Sequence, residues 1–522
     1  MNVNYCLRRA CRFHGARPAI HHADDVLTWE EFYNRVNASA RRMAALGIRK
    51  GDRVAVLMTN SPAYLDLYFS IPLLGALIVP MNFRWHVNEM AFTLNDSESA
   101  CLFVDQVLAP LAPKLRELVP GLKHVIYFAP EDCPAGLTDF RTQSEDGQIN
   151  FDEPDENDLV GLFYTSGTTG GPKGAMLSHR NLYSNAIHAL LPPAFLDPDS
   201  RFLHAAPMFH LADAGAILAL TLLGASHSFL GLFDPEALMQ AIEKYRISNV
   251  VLVPTMLNML IHHPAFGRYD LSTLSRINYG ASPMPIPLLA AAMEKLKCDF
   301  SQGYGMTEVS PLLTTLLPED HRLEDLDRPF VPVKSAGKPI LGVEVRVVDY
   351  KDRDVSTGQV GEIIARGPNV MQGYWKRPEI NAEALRGGWM HTGDMGAFDK
   401  DGYLYILDRK KDMIKPGGEN VYSPEVESVV TAHPAVLEAA VIGIPDERWG
   451  EAIRAVVALR PGALLTEAEL MEWCRSQLTH FKCPTSVVFA ESLPKGGTGK
   501  IQKNMLRQLY GGLPSAQSAG QS

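Results

Sequence analysis

Cysteine is sparse and scattered in this chain of 522 residues: the seven, at positions 6, 11, 101, 133, 298, 474 and 483, include no C-x-x-C pair. Such spacing supplies neither a zinc site nor a disulfide framework, and an odd number of separated thiols fits a reducing, cytoplasmic setting. A basic excess is missing too. Lysine and arginine number 49 against 59 aspartates and glutamates, a formal charge of −10, and the basic residues form no stripe. A nucleic-acid binder needs such a stripe to meet phosphate charge, so that class is set aside. Stable membrane insertion lacks a segment to carry it. "LYFSIPLLGALIVPMN" is interrupted by Pro72 and Pro80, while the uncharged stretch Ala214 to Phe233 contains Ser226, His227, Ser228 and three glycines. The second stretch also lacks Lys/Arg asymmetry in its flanks and reads as a buried helix followed by a buried strand. The start, "MNVNYCLRRACRF", has neither the apolar stretch nor the small-residue cleavage site of a secretory signal.

What is present is a globular composition, 46 % hydrophobic and 21 % charged, in a chain long enough for two to four structural units. Over the first 400 residues helical patterns alternate with short apolar strands. "TWEEFYNRVNASARRMAALGI" precedes "DRVAVLM", "PEALMQAIEKYRI" precedes "NVVLVP", and "PLLAAAMEKLK" precedes "CDFSQGYG". This alternation predicts an α/β architecture with largely parallel sheets. From Leu341 the texture changes to "GVEVRVVD" and "GQVGEIIARG", antiparallel strands with glycine turns, so a β-rich subdomain is expected at about 335–408. After the charged cluster Asp408 to Asp412, a candidate linker, the pattern is that of a compact α+β unit of about a hundred residues. The tail 511–522 has no apolar periodicity and is expected to be disordered.

One stretch carries chemistry on its own: "YTSGTTGGPKGAMLSHRN", Tyr164 to Asn181. Glycine permits backbone N–H groups to converge on an anion, and serine and threonine hydroxyls add donors. Thr165, Ser166, Gly167, Thr168 and Thr169 therefore read as a phosphate cradle, with Lys173 supplying a point charge. The lysine follows proline and precedes Gly174 rather than serine or threonine, so the loop is not a Walker A motif, and it is not G-x-G-x-x-G.

The loop closely resembles the signature of the adenylate-forming (AMP-binding) superfamily, which includes acyl-CoA synthetases, aryl-CoA ligases, luciferases and peptide-synthetase adenylation domains. Further motifs of that family follow in order: "HAAPMFH" (His204 to His210), "NYGASPMP" (Asn278 to Pro285), "QGYGMTE" (Gln302 to Glu308), "HTGD" (His391 to Asp394), "DRKKDMIKPGGENVYSPEVE" (Asp408 to Glu427) and "PKGGTGKI" (Pro494 to Ile501). The resemblance extends to about residue 510. It implies an N-terminal adenylation domain 1–408, a hinge 409–411 centred on Lys411, and a small mobile C-terminal domain 412–510.

The resemblance also implies roles. Adenylating a carboxylate requires a grip on the β- and γ-phosphates, a Mg²⁺ ligand, a nucleoside site and charge neutralisation at the α-phosphate. The 165–173 loop matches the phosphate grip, with Thr168 counted among the catalytic residues beside Glu308 and Lys500. Glu308, beside Thr307, matches the Mg²⁺ position. Gly303, Tyr304, Gly305 and Met306 match the adenine segment, Tyr304 offering its ring for stacking. Asp394 matches the ribose-binding carboxylate, Arg409 a cation near the same sugar, and Lys500 the lysine bridging carboxylate and α-phosphate. After domain alternation, Lys415, Gly417, Gly418 and Glu419 would form the pantetheine channel for CoA. ATP, Mg²⁺ and CoA are thus the expected cofactors and co-substrates, and a homodimer is left open.

For the acyl pocket, Ala212, Gly215, Gly280, Ala281 and Ser282 are small, and no lysine or arginine in these segments could pair a second carboxylate. The expectation is an apolar monocarboxylate: a medium- or long-chain fatty acid first, as in fatty acid metabolism, or an aryl acid, with loading of a carrier protein as a further alternative. Asp213 either points away from the pocket or meets a polar substituent. His210 gates the pocket, contacts the carboxylate, or is a satisfied core histidine. Two departures from the family pattern stand out: Asp408 replaces a common glycine, and Cys483 and Thr485 stand where relatives often carry basic residues for the CoA nucleotide, Lys482 remaining.

Overall fold

The computed structural model describes residues 2–149, 153–165, 172–191, 196–326, 328, 330–495 and 501–512. They form two compact units: Met1–Val345 with Ala365–Met390, and Arg346–Ile364 with His391–Ser522.

The first unit is the α/β body that the alternation predicts. One of its sheets runs Thr138–Asp139, His124–Tyr127, Cys101–Val104, Arg53–Leu57, Leu77–Pro80, Leu159–Thr165, Lys173–Ser178. Its inner pairs are parallel, and only the last two strands form an antiparallel hairpin. The other sheet runs Lys338–Pro339, Leu312–Leu316, Asp299–Gly305, Arg276–Gly280, Asn249–Leu252, Arg201–His204, Ser226–Phe229, Pro18–His22, Asp25–Thr28. Its centre is again parallel, with antiparallel strands at both ends.

Local chemistry sets the element ends. Helix Trp29–Ala45 starts at a capping box, in which the Thr28 hydroxyl accepts from the Glu31 amide at 3.2 Å and Glu31 accepts from the Thr28 amide at 2.8 Å. Helix Pro62–Leu73 is buried on almost every side, as its mainly apolar sequence requires, and its one charged residue, Asp66, is paired with Arg35. The long apolar run resolves into helix Leu211–Leu223 and the fully buried strand Ser226–Phe229, as expected. Gly224 divides them at φ +71°, where an added Cβ would lie 2.3 Å from the His14 ring. Among the described residues no helix is long and apolar enough to cross a membrane.

The second unit carries most of a four-stranded sheet, Glu344–Val348, Gly361–Arg366, Met390–Phe398 and Leu404–Arg409, which is the β-rich stretch anticipated from residue 341. Its other sheet comprises Val436–Asp446, Gly450–Leu459 and Ser486–Phe489, covered by helices Ser423–Thr431, Glu467–Arg475 and Lys503–Tyr510. All seven cysteines are free thiols.

Candidate active site

The expected phosphate cradle hangs from the antiparallel hairpin of the first unit. Thr165 and Lys173 sit opposite one another as its last paired residues, so the loop leaves and re-enters at a fixed register. Ser166, Gly167, Thr168 and Thr169 lie outside the described residues. Beneath the hairpin, the Tyr164 ring passes so close to Gly174 that an added Cβ would meet it at 3.0 Å. The Tyr164 hydroxyl donates to Asp96 at 2.7 Å, and burial together with that carboxylate pushes the phenol well above its usual pKa.

Strand Asp299–Gly305 carries the residues expected to hold adenine. Packing requires its glycines: a Cβ on Gly305 would lie 1.9 Å from the Pro311 carbonyl and one on Gly303 2.8 Å from the Leu312 side chain, while on the neighbouring strand one on Gly280 would lie 2.4 Å from the Gly303 carbonyl. Tyr304 and Met306 are half-buried against the main core. Ala281, just past the end of strand Arg276–Gly280, is exposed and holds φ +63°, a left-handed conformation that costs a non-glycine residue about 1 kcal/mol or more; Ser282 beside it is half-buried.

A single turn after strand Asp299–Gly305 brings Thr307 and then Glu308, which is 5 % exposed. Its Oε1 accepts a 2.7 Å hydrogen bond from the Tyr374 hydroxyl. Tyr374 also lies beneath Lys173, whose Nζ is 5.0 Å from the ring centroid. The segment bearing Tyr374 is strapped to both sides. The Trp375 amide donates to Gly174, the Met176 amide to Gly373 and the Met371 amide to the Glu308 carbonyl, at 2.8, 2.8 and 2.9 Å. Asp96 closes the far end, accepting from Arg377 at 2.6 Å and, through its carbonyl, from the Trp375 indole at 3.1 Å.

The acyl-pocket expectations divide. His210 caps helix Leu211–Leu223, its carbonyl accepting from the Asp213 and Ala214 amides. Ala212 is exposed. Asp213 is turned fully inward: its Oδ2 is 2.6 Å from His204 Nδ1, and His204 Nε2 is 2.9 Å from His227 Nδ1, all three side chains being buried. Burial raises the Asp213 carboxyl and His204 opposes the rise, while burial holds His227 neutral, far below the usual histidine pKa. Gly215 packs on Pro311, which an added Cβ would meet at 2.9 Å. Behind the same helix lies an apolar cavity of about 20 Å³, lined by Val3, Phe163, Leu182, Leu211 and Leu218 with Ser310.

In the second unit Asp394 and Arg409 are cross-strand partners, joined by a 2.8 Å ion pair with Asp394 almost buried. The Thr392 hydroxyl accepts from the Asp394 amide and donates to the Ile363 carbonyl. Lys411, Lys415, Gly417, Gly418 and Glu419 are exposed. Gly417 and Gly418 hold φ +62° and +89°, and the Gly417 amide donates to the Trp449 carbonyl at 2.8 Å. The unusual Asp408 caps helix Ser423–Thr431, accepting from the Ser423 amide and hydroxyl at 2.7 and 2.8 Å. Cys483 is buried, Thr485 bonds the Ile453 carbonyl, and Lys482 pairs with Glu425. Lys500 lies outside the described residues.

The sequence pattern of the AMP-binding enzyme family matches residues 7–375, and that of the AMP-binding enzyme C-terminal domain matches 425–500. The chain belongs to the AMP-binding enzyme family. It is 40 % identical over 511 residues to feruloyl-CoA synthase of Amycolatopsis sp., covering 96 % of this chain and 98 % of that protein. Its fold is similar to that of an anthranilate CoA ligase solved with anthranoyl-AMP (TM-score 0.86, 28 % identity, 98 % and 97 % coverage). It is likewise similar to o-succinylbenzoate CoA synthetase of Bacillus subtilis solved with its acyl-adenylate (TM-score 0.84, 30 % identity, 96 % and 97 % coverage). Like these members of the AMP-binding family, the protein is an AMP-forming acid–thiol ligase.

The sequence motifs located Lys173 and Glu308 in this AMP-binding enzyme but not the residue between them. Tyr374 stands in "MQGYWKRP", where a glycine followed by two aromatics and two cations was the only available signal.

Proposed function

We propose that this enzyme joins an apolar monocarboxylic acid to CoA through an acyl adenylate, releasing AMP and pyrophosphate. The observation that carries the reading is the Lys173–Tyr374–Glu308 cluster at the mouth of a glycine-rich hairpin, in a chain similar to CoA ligases along nearly its whole length.

Among the described residues no group of three His, Cys, Asp or Glu side chains gathers as a metal site. Mg²⁺ that arrives on phosphates needs only one or two protein carboxylates, and buried Glu308 fits that requirement as a single hard-oxygen ligand. Bound there, the ion would supply charge neutralisation for pyrophosphate departure. Lys173 and the 165–169 hydroxyls and amides would hold the β- and γ-phosphates in line for attack by the acid. Asp394 would accept the ribose hydroxyls, with Arg409 keeping its carboxylate oriented until nucleotide enters. Lys500 would bridge the acid and the α-phosphate, and the hinge at 409–411 would then exchange it for the Lys415–Glu419 face during thiol transfer. Lys500→Ala is expected to cripple adenylation while sparing thioester formation from supplied acyl-AMP. Equal loss in both half-reactions would refute the exchange.

For the acid, an aromatic substrate of the cinnamate or benzoate kind takes precedence over a medium- or long-chain fatty acid. The similarity to a feruloyl-CoA synthase favours it. Free thiols throughout support a cytoplasmic setting.

The test is pyrophosphate release with MgATP across straight-chain acids, benzoate and cinnamates, with and without CoA. CoA-dependent turnover peaking on a cinnamate is expected. A maximum at a long-chain acid would restore the fatty-acid reading, and indifference to CoA would point to a carrier protein as acceptor.

A further inference from the structure

We propose that Tyr374 is a positioning residue for adenylation, its hydroxyl orienting Glu308 toward the metal ion and its ring supporting Lys173 against the phosphates. The inference rests on the ligase reading above and extends it to a residue outside the motifs that marked the candidate site.

Three observations carry it. First, one side chain meets both charged groups assigned to the triphosphate: its hydroxyl lies 2.7 Å from Glu308 Oε1, and its ring centroid 5.0 Å from Lys173 Nζ. Second, both partners of the hydrogen bond are buried, Tyr374 at 7 % and Glu308 at 5 % exposure. A phenol donating to one carboxylate oxygen there fixes the plane of the carboxylate, leaving the orientation of its other oxygen defined. Third, Tyr374 itself has little freedom. Backbone bonds on either side tie its strand segment to Gly174 and Met176, Met371 is tied to Glu308, and Asp96 clamps Trp375 and Arg377. The Asp96 carboxylate that holds Arg377 also holds Tyr164 beneath the phosphate hairpin, so one anchor sets both sides of the cluster.

The geometry separates two contributions that substitutions can divide. Tyr374→Phe keeps the ring and removes the hydrogen bond. It should raise the Mg²⁺ concentration for half-maximal acid-dependent pyrophosphate exchange by about tenfold, the usual scale for a lost partner of a metal ligand. ATP KM at saturating Mg²⁺ should change little. Tyr374→Leu removes the ring as well and should add a several-fold rise in that ATP KM, because Lys173 loses its support. Titration of the wild type and Tyr374→Phe with Mn²⁺ in the presence of ATP, without acid, followed by electron paramagnetic resonance, reads the first effect independently of turnover. Weaker Mn²⁺ binding by Tyr374→Phe is the expected result. If that variant binds Mn²⁺·ATP as the wild type does and loses only kcat or thermal stability, Tyr374 is merely a packing residue and the proposal falls. If Tyr374→Leu does not fold, the comparison of wild type with Tyr374→Phe still decides the hydroxyl's role. A wild-type protein that neither binds Mn²⁺·ATP nor catalyses pyrophosphate exchange in the presence of any of the acids would instead overturn the ligase reading itself.

Discussion

Asp213, at the head of helix Leu211–Leu223, and Glu308, in the turn after strand Asp299–Gly305, are both acidic, both in motif-bearing segments and both buried. Their surroundings set them apart. Asp213 is held by a histidine that is itself held by a second histidine, with Phe202 and Phe229 packed around them. Glu308 is held by a phenol, with a lysine on the far side of the same ring. A buried carboxylate enclosed by histidine and aromatics is a fastening inside the body. One facing a tyrosine and a cation at the end of a glycine-rich hairpin fits the proposed role toward a charged ligand. Burial alone does not distinguish them; the charge of the next neighbour does.

The sharpest way to break this contrast is to neutralise each residue in turn. Glu308→Gln preserves shape and should lower adenylation by roughly a hundredfold to a thousandfold, the scale of losing a preorganised electrostatic contact, with the thermal midpoint nearly unchanged. Asp213→Ala leaves His204 without its partner in the core and should cost about 3 kcal/mol of stability, measured by denaturant unfolding, while pyrophosphate exchange by the folded fraction persists. If Asp213→Ala abolished exchange at full stability, the assignment of the two regions would be reversed.

A smaller effect separates the regions by pH. His179 opens the helix that follows the hairpin strand and accepts at Nδ1 from the Val3 amide at 3.2 Å. Burial lowers its pKa from 6.5 to about 4. The unfolded chain therefore takes up this proton as pH falls through 6.5, whereas the folded chain does not until about 4. Stability is lost across that window and is flat above it, by about 2 kcal/mol at pH 5. His179→Gln should remove this share of the acid slope. His227, which burial also holds neutral, shares the slope that remains with other histidines lowered by burial, among them His188 and His321.

Much of the fold was legible because helix and strand periods and glycine stops are local properties. Helix Trp29–Ala45, strand Arg53–Leu57 and the break at Gly224 each follow from a few adjacent residues. The site was legible where a motif concentrates unusual residues, as at 164–174 and 302–308. Contacts made by ordinary residues across long separations were not. Tyr374 reaches Glu308 across 66 positions, and Asp96 reaches Arg377 across 281, without any periodicity to betray them. Asp408 illustrates the reverse: a departure from the family pattern proves to be a helix cap 15 positions away. Asp213 could be read toward or away from a pocket because only the turn of its helix, set by His210, decides which way it faces.

The paired ends of the phosphate hairpin also bear on how this gene can change. Thr165 and Lys173 are fixed opposite one another, and successive strand residues face opposite sides of the sheet. A change that moved Lys173 by one position along its strand would turn its side chain to the opposite face, away from Tyr374. A change of length that shifts Lys173 along its strand should therefore be tolerated less well than an insertion at an exposed turn elsewhere in the chain.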